Sequence, residues 1–218
     1  MSAAQPPSLR TLPECRRFFF GKATPRLILP AIVLVTLLRV RYGEWGWGDL
    51  LVPAGILALE PFTEWVIHVA ILHFRPRRLG PIPIDFHAAR KHRFHHEHPN
   101  DPQTSFVPLV DLVGLGSIVA VVLYLLAPTT GAFLSGVLVA LSMLLVYEWS
   151  HFLIHTPYQP SGRYYRSIWR AHRLHHFKNE HYWYGVTVTL GDRLLGTFPD
   201  KSEVTNSPTA RKLHAPAG

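Results

Sequence analysis

Ten histidines of this sequence stand in four short groups whose spacing suits metal binding. Two groups have the spacing H-x-x-H-H, one has H-x-x-x-H and one has H-x-x-x-x-H. The members are His68 and His73, then His92, His95 and His96, then His151 and His155, and finally His172, His175 and His176. Imidazole is a good ligand for iron, zinc, copper and nickel, so ligand type leaves the metal open. Ten imidazoles are too many for one ion, and they predict two ions with open coordination positions.

The spacings predict how each group is presented. Residues three and four apart share one face of an α-helix, so three groups each offer their imidazoles to one side. His73 lies five positions after His68, and five positions turn an α-helix beyond the face that carries the first residue. Two explanations are open: the helix ends or bulges there, or the two rings bind different metals.

Each group also has a simpler explanation. An H-x-x-H-H group in a basic loop can be solvated surface, and the pair in HFLIH (151–155) can cap a helix at a membrane interface. His87 and His98 could support a metal site or be polar surface residues, of which we favour the second, and we expect His214 to be incidental. The metal hypothesis therefore depends on whether the four groups meet in space.

Four apolar stretches indicate the elements that would position these histidines. They cover residues 23–40, 49–74, 107–128 and 131–155. Charged residues make up 17% of the chain, below the roughly 25% usual for soluble domains. The alternative, core helices of a soluble bundle, would require polar stripes that the last two stretches lack. We predict an all-α fold, an integral membrane four-helix domain with a helical cytosolic cap that carries a dinuclear metal site.

The basic residues orient this domain in the membrane. Of 22 Lys and Arg, only Arg39 and Arg41 fall beside the loop between the first two spans. The positive-inside rule therefore places both termini and the segment 75–106 in the cytoplasm. All four histidine groups then lie on the cytoplasmic face, although the histidines played no part in the orientation. The net charge of +8 needs no nucleic acid partner, because basic residues near a bilayer favour anionic headgroups.

The rest of the chain divides around the membrane domain. Residues 1–22 form a basic arm without the features of a signal peptide, and Phe18, Phe19 and Phe20 could enter the interface. We assign 23–200 to the membrane domain and 201–218 to a polar tail that we expect to be disordered. Cys15 is the single cysteine, so no disulfide framework or cysteine-based zinc site is expected.

The four histidine groups together resemble the fatty acid hydroxylase/sterol desaturase superfamily of membrane di-iron enzymes. The resemblance runs from about residue 60 to 200 and includes the segment HHFKNEHYWYGVTVTLGDRLLGT, which ends in a G-D-x-x-x-G-T turn. The H-x-x-x-x-H group and the gaps between groups look most like the fatty acid 2-hydroxylase branch. This resemblance implies metal-ligand roles for all ten histidines, two iron ions as cofactor, and O2 as co-substrate. Zinc can occupy the same ligands in purified protein.

Other residues near the groups have candidate roles. Glu64 and Glu148 share a helix face with His68 and His151, and either carboxylate could accept an imidazole N–H. Glu148 could instead bind metal directly, as in the Glu-x-x-His pattern of soluble di-iron bundles. His181 could also support the ligands, and three aromatic residues could line an acyl-chain channel: Tyr182, Trp183 and Tyr184. Packing of the cap explains the aromatic residues nearly as well.

The resemblance implies insertion of one oxygen atom into a C–H bond of a lipid, most plausibly a fatty acyl chain. The chain contains no haem, dinucleotide or iron–sulfur motif, so an external donor such as a ferredoxin or cytochrome b5-like protein must supply electrons. Arg90, Lys91 and Arg93 are candidates for its docking, or for a lipid-facing patch. A sterol or carotenoid hydroxylase or desaturase is an alternative. A metal-binding membrane protein without redox chemistry is another, but a transporter would place its ligands near mid-membrane.

Overall fold

The computed structural model describes residues 8–214 as a bundle of long helices with a cap at one end. The long helices are α2 (Ala23–Tyr42), α3 (Gly48–Val66), α5 (Leu109–Leu126) and α6 (Thr130–Ile154). A π-helical segment, Ile67–Leu72, continues α3. The shorter elements are α1 (Leu12–Phe19), β1 (Arg77–Leu79), β2 (Ile82–Ile84), α4 (His87–Glu97), α7 (Arg163–Phe177) and α8 (Leu190–Leu194).

Within residues 8–214, four helices are long and apolar enough to cross a membrane, in agreement with the predicted spans. They are Ala23–Tyr42, Gly48–Leu72, Leu109–Leu126 and Thr130–Ile154. Helix α5 has no residue buried by the rest of the described chain, although it is almost entirely apolar. Such a surface is stable against lipid and unfavourable in water, so the bundle is that of a membrane protein.

Helix α1 packs onto the membrane bundle instead of standing apart as an arm. The ring of Phe19 is buried against Trp149, with ring centroids 5.0 Å apart, and Phe18 stacks on Phe152 at 5.4 Å. Of the three phenylalanines expected at the interface, only Phe20 has a largely exposed side chain. The first seven residues of the predicted arm lie outside the described residues.

A buried ion pair joins three helices at the end of the bundle opposite the cap. The guanidinium of Arg39 on α2 lies 2.7 Å from Asp49 at the start of α3, and its Nε donates to Ser135 of α6 at 3.1 Å. The guanidinium also stacks over the ring of Trp45 at 3.6 Å. Arg39 is thus neutralised inside the protein, which leaves Arg41 as the exposed cation of that end.

The cap is mainly helical, with two departures from the expected pattern. Strands β1 and β2 form a small antiparallel hairpin in which Leu79 pairs with Ile82. The structure also differs from the expected disordered tail, because residues 201–214 pack against the cap. The side chains of Val204, Ala210 and Leu213 are buried there. Apolar residues spaced through a polar segment give little signal in sequence, and the last four residues lie outside the described range.

Candidate metal centre

The four histidine groups meet where the bundle joins the cap. His68 lies in the π-helical segment that ends α3, and His73 follows it directly. Helix α4 carries one H-x-x-H-H group and α7 carries the other. The remaining pair, His151 and His155, stands at the end of α6. The predicted convergence of ten histidines at one end of the bundle is confirmed.

The ten side chains form two groups of five, and the ligand nitrogens within each group lie within 4.8 Å of one another. The first, which we call group one, contains His68, His73, His92, His96 and His175. The second, group two, contains His95, His151, His155, His172 and His176. The groups are adjacent, because the rings of His96 and His176 have centroids 4.1 Å apart. Nine of the ten side chains are buried, and that of His73 is partly buried.

Each H-x-x-H-H group is divided between the two sites. His92 and His96 on α4 enter group one, and His95 between them enters group two. Helix α7 does the reverse, with His172 and His176 in group two and His175 in group one. Positions four apart on a helix point in nearly the same direction and the third position is offset, which explains the division. Helices α4 and α7 thus each contribute two histidines to one group and one histidine to the other.

The H-x-x-x-x-H group is accommodated by a helical bulge. The N–H of His73 donates to the carbonyl of His68 at 2.9 Å, which is the i to i+5 bond of a π-helix. This wider turn brings both rings into group one, with centroids 5.0 Å apart. Of the two explanations left open by the sequence, the bulge is correct and binding to different sites is wrong.

Backbone carbonyls fix the protonation of three rings in group one. Nδ1 of His68 lies 2.7 Å from the carbonyl oxygen of Tyr184, and Nδ1 of His96 lies 2.7 Å from that of Ala210. Nδ1 of His175 lies 2.8 Å from the carbonyl oxygen of Tyr182. A carbonyl oxygen only accepts, so each Nδ1 carries the hydrogen and each Nε2 keeps a lone pair.

Group two repeats this arrangement. Nδ1 of His151 donates to the carbonyl of Ser105 at 2.8 Å, and Nδ1 of His155 donates to that of Pro99 at 2.7 Å. Nδ1 of His95 lies 2.8 Å from the hydroxyl of Thr104, which itself donates to the carbonyl of Asp101. The hydroxyl hydrogen is therefore in use, and Thr104 accepts from His95. These three Nε2 atoms also keep lone pairs.

Lone pairs consequently face each other in both groups. Nε2 of His96 lies 3.2 Å from Nε2 of His175, and Nε2 of His95 lies 3.1 Å from Nε2 of His155. Two lone pairs at this distance repel unless a cation lies between them. Two nitrogens bonded to one ion at about 2.1 Å lie roughly 3.0 Å apart at a right angle and about 3.4 Å apart at the tetrahedral angle. The geometry therefore fits a metal ion in each group.

Protonation is a poor substitute for that cation. Burial lowers the pKa of His96 to about 3, and burial together with the neighbouring His96 holds the pKa of His175 well below its usual value. Burial and the neighbouring His155 lower the pKa of His95 in the same way. The rings stay neutral near pH 7, which is the state that binds a metal.

Glu64 has a different role from the one expected. Its buried carboxylate accepts from the backbone N–H groups of Val186 and Thr187 and from the Thr187 hydroxyl. It therefore anchors the cap loop that begins with Tyr184, whose carbonyl holds His68. The expected bond to an imidazole is wrong, because a loop distant in sequence supplies the donors that this carboxylate accepts from.

Glu148 likewise bonds no histidine and lies in neither group. Its carboxylate accepts from the hydroxyl of Thr24 at 2.5 Å and from the N–H of Val107 at 2.6 Å. Three residues before His151, it points toward α2 and the start of α5 instead of the metal groups. Both the support of an imidazole and direct metal binding are therefore wrong for this residue.

The four histidines outside the H-x-x-H-H, H-x-x-x-H and H-x-x-x-x-H patterns belong to neither group of five. The side chain of His181 is 70% exposed, which does not fit its expected supporting role. His98 is exposed as expected, and His87 is partly exposed and pairs with Asp111 at 2.8 Å. His214 is less incidental than expected, since its Nε2 lies 3.0 Å from the carbonyl of His73.

The three aromatic residues of HYWYGV separate into two environments. The ring of Tyr184 lies against group one, 5.3 Å from the ring of His68 and 5.2 Å from that of His175. Trp183 is buried against Ala171 and Val204, with Tyr182 packed on the same cluster. Cap packing thus accounts for Tyr182 and Trp183, and a channel role stays a prediction for Tyr184 alone.

Asp192 is a site residue that the sequence analysis did not single out. Its buried carboxylate accepts from the N–H groups of Tyr184, at 3.0 Å, and Gly185, at 2.7 Å, and from the Thr197 hydroxyl at 2.6 Å. Burial raises its pKa. Its neighbour Gly191 has no room for a Cβ, which would collide with the carbonyl of Pro61. The G-D-x-x-x-G-T turn was the available signal, and it works by fixing the Tyr184 backbone.

The three candidate docking cations differ in whether their side chains already bind other residues of the chain. Arg93 pairs with Asp85 at 2.5 Å, and Arg90 donates to the backbone carbonyl of the same residue at 2.6 Å. Lys91 is exposed. The side chain most available to an acidic partner on this helix is therefore Lys91.

Comparisons with known proteins agree with this architecture. The family model for fatty acid hydroxylases matches residues 53–197, more than half of the chain. Dihydroceramide fatty acyl 2-hydroxylase FAH2 of Arabidopsis thaliana is 26% identical over 180 residues, which are 81% of this chain and 73% of that protein. Fatty acid 2-hydroxylase of Mus musculus is 27% identical over 138 residues, which are 62% of this chain and 36% of that protein.

The fold also has a counterpart among solved structures. The hydroxylase domain visible in the structure of full-length scs7p superposes with a TM-score of 0.68 at 21% identity, covering 87% of this chain and 69% of that one. At this level of identity the likeness concerns the fold. Together with the matched family model, it leads to one conclusion: the chain belongs to the fatty acid hydroxylase family.

Proposed function

We propose that this protein is a membrane-bound oxygenase that hydroxylates a C–H bond of a fatty acyl chain. The observation that carries the proposal is the pair of five-histidine groups with facing lone pairs at the end of four apolar helices. The relatives named as 2-hydroxylases support carbon 2 of the acyl chain as the position. In this reaction one oxygen atom of O2 enters the C–H bond and the other leaves as water, with two electrons and two protons consumed.

The residues of this chain contribute binding, orientation and exclusion of water. Two iron ions held by the two groups would supply the O2 chemistry that oxidation of an unactivated carbon requires. The carbonyl partners orient the imidazoles and keep Nε2 free, which holds the ligands in place before the ions arrive. Burial of the rings keeps water from competing for the site.

We also propose that the metal end faces the cytoplasm and takes electrons from a separate acidic protein. The distribution of basic residues supports this orientation, since Arg41 is the exposed cation of the opposite end and Arg39 is neutralised. The exposed cations of the cap, including Lys91 on α4, suit an acidic electron donor.

Acyl-chain analysis of cells that express or lack the protein tests the function. We expect acyl chains heavier by one oxygen atom, with fragmentation locating the hydroxyl at carbon 2. His172→Ala should reduce this product to background because it removes a buried member of group two. His98→Ala is the matched control, since this exposed histidine lies outside both groups, and it should retain wild-type product.

Other results would assign a different function. Chains lighter by two hydrogen atoms would indicate a desaturase. Oxidised sterols or carotenoids with unchanged acyl chains would indicate another substrate. If the protein binds metal but forms no lipid product when an electron donor is present, it is a metal-binding protein without redox chemistry.

A further inference from the structure

A cavity of about 690 Å³ opens on the outer side of α7, opposite the face that carries the histidines. Its wall includes Trp183 and residues of α7, α8 and the segment that follows α8. The charged side chains that line it are Arg163, Arg166, Arg170, Arg193, Lys201 and Asp200. Five cations thus converge on one cavity with a single carboxylate.

The cations of this cavity lack carboxylate partners. Among residues 8–214, the ion pairs involve other side chains, and none of these five lies within ion-pair distance of an acidic group. Neutral partners hold two of them in place: Arg166 donates to the carbonyl of Ser161 at 2.9 Å, and Arg193 lies over the ring of Phe198 at 4.2 Å. Asp200 accepts from Ser202. The cavity therefore carries an unbalanced positive charge.

The composition and shape of the cavity favour phosphate as the anion. Four of the five cations are arginines, whose planar guanidinium groups match phosphate oxygens in pairs. A concave site of this volume is typical of a small ligand or headgroup, whereas protein interfaces are broader and flatter. Charge and shape together favour a phosphate ester over an acidic protein.

The position of the cavity favours a phosphate carried by a lipid. Helix α8, which supplies Arg193, packs on α3 beside Pro61, roughly 15 Å before the end of the π-helical segment that continues this membrane helix. Trp65 of α3 donates to the Thr197 hydroxyl at 2.9 Å and fixes this contact. The side chains of Leu190, Leu194 and Leu195 are 48%, 62% and 44% exposed. These leucines suit acyl chains, and the cations beside them are then at headgroup level.

We propose that this cavity binds the phosphate of an anionic membrane phospholipid, with the acyl chains of the lipid lying along the exposed leucines of α8. The site is separate from the metal centre, since it occupies the opposite face of α7. Its occupation is independent of the oxygenase reaction, so binding can be measured without turnover. The proposal thus goes beyond the proposed function and does not rest on it.

Native mass spectrometry of the purified full chain in detergent tests the proposal. Dioleoyl phosphatidic acid is titrated, with phosphatidylcholine as the neutral lipid and glycerol 3-phosphate as the soluble phosphate ester. We expect saturable binding of phosphatidic acid, with the dissociation constant raised about tenfold or more in Arg163→Gln/Arg170→Gln. The matched control Arg16→Gln/Arg17→Gln removes the same charge from exposed positions on α1 and should change it less than about twofold.

The alternatives give distinct results. If both double variants weaken the binding of phosphatidic acid equally, the proposal is overturned. The lipid is then attracted by the basic surface as a whole and not by this cavity. Binding of glycerol 3-phosphate as tight as that of phosphatidic acid would overturn the lipid source. A third result would also overturn the proposal. If no lipid binds saturably, but an acidic redox protein binds the wild-type chain and not the cavity variant, the cavity is a protein-docking site. If the double variant unfolds, Lys201→Gln at an exposed position should still weaken lipid binding about threefold, and an unchanged dissociation constant there would contradict the proposal.

Discussion

Single backbone carbonyls determine which ring nitrogen of each histidine carries the hydrogen and which keeps a lone pair for a metal. Pro99, Ser105, Tyr182, Tyr184 and Ala210 each offer a carbonyl oxygen to one Nδ1. They come from the α4–α5 loop, the α7–α8 loop and the segment after α8. Their accepting atoms belong to the main chain, so a pattern of side chains does not identify them. Because a substitution rarely removes a carbonyl, their contribution is best tested through the side chains that fix these loops.

Asp192 is the most informative of those side chains. Asp192→Asn keeps the shape but turns one accepting oxygen into a donating amide, which cannot accept from the N–H groups of Tyr184 and Gly185 together. The Tyr184 carbonyl should then shift away from His68 and loosen group one. We expect metal affinity or hydroxylation to fall about 10- to 100-fold, the range found for partners of metal ligands.

Metal titration and product assays of the same preparations measure this effect. Asp200→Asn is the control, since that exposed carboxylate accepts from the N–H and the hydroxyl of Ser202, within its own turn. Wild-type affinity and activity in Asp192→Asn would show that the G-D-x-x-x-G-T turn does not position the metal ligands.

At the level of elements, the π-helical segment explains an otherwise unusual spacing. A π-bulge adds one residue to an α-helix without changing the register on either side. H-x-x-x-x-H in a π-helix is therefore equivalent to H-x-x-x-H in an α-helix, which is the spacing of His151 and His155 on α6. The two membrane helices supply their histidine pairs in equivalent ways.

This equivalence predicts that one deletion will be tolerated. Ala70 is exposed within the π-helical segment, and its removal should convert the segment to α-helix with His68 and His73 still on one face. We expect metal content to stay at the wild-type level, measured by elemental analysis of purified protein. Deletion of the exposed Phe94 from α4 is the matched control.

The control deletion should have the opposite effect. Without Phe94, His95 and His96 turn by about 100° relative to His92, so metal should be lost from both groups. Loss of metal from the Ala70 deletion, with its thermal stability retained, would contradict the equivalence.

Sequence patterns predicted the elements better than the contacts between them. The spans could be predicted because lipid requires about 20 apolar residues in each helix, whatever the helix packs against. The convergence of the histidines followed from those spans. Their division into two groups could not be predicted, because it depends on how α4 and α7 are placed relative to each other in space. Glu64 and Glu148 were assigned wrongly for a similar reason, since their partners are backbone N–H groups far away in sequence.

At the scale of the whole molecule, the proposed metal binding would be coupled to folding. Ten imidazoles from two membrane helices and two cap helices face one another, so the metal ions would join the cap to the bundle. Removal of metal should lower the free energy of unfolding. The ten imidazole rings of the metal-free protein should still be buried and neutral.

The stability of that metal-free protein should fall in acid. An unfolded histidine binds a proton below a pKa of about 6.5, whereas burial lowers the pKa of His96 in the folded protein to about 3. Between these values the unfolded state holds more protons, so the free energy of unfolding decreases as pH falls. One such ring contributes a slope of up to about 1.4 kcal/mol per pH unit.

Thermal unfolding of chelator-treated protein in detergent measures this slope. The midpoint should decrease between pH 7.5 and about 5, and His96→Gln should flatten the decrease. His98→Ala should leave it unchanged, because that histidine is exposed. A midpoint that is constant or rises toward acid would show that the rings are not buried and neutral.

The central claim is that the two histidine groups hold two metal ions, and the metal content of purified protein tests it most directly. Elemental analysis of protein expressed with iron should give about two equivalents per chain, and His98→Ala should keep the same content. One equivalent or none per folded wild-type chain would contradict a dinuclear centre.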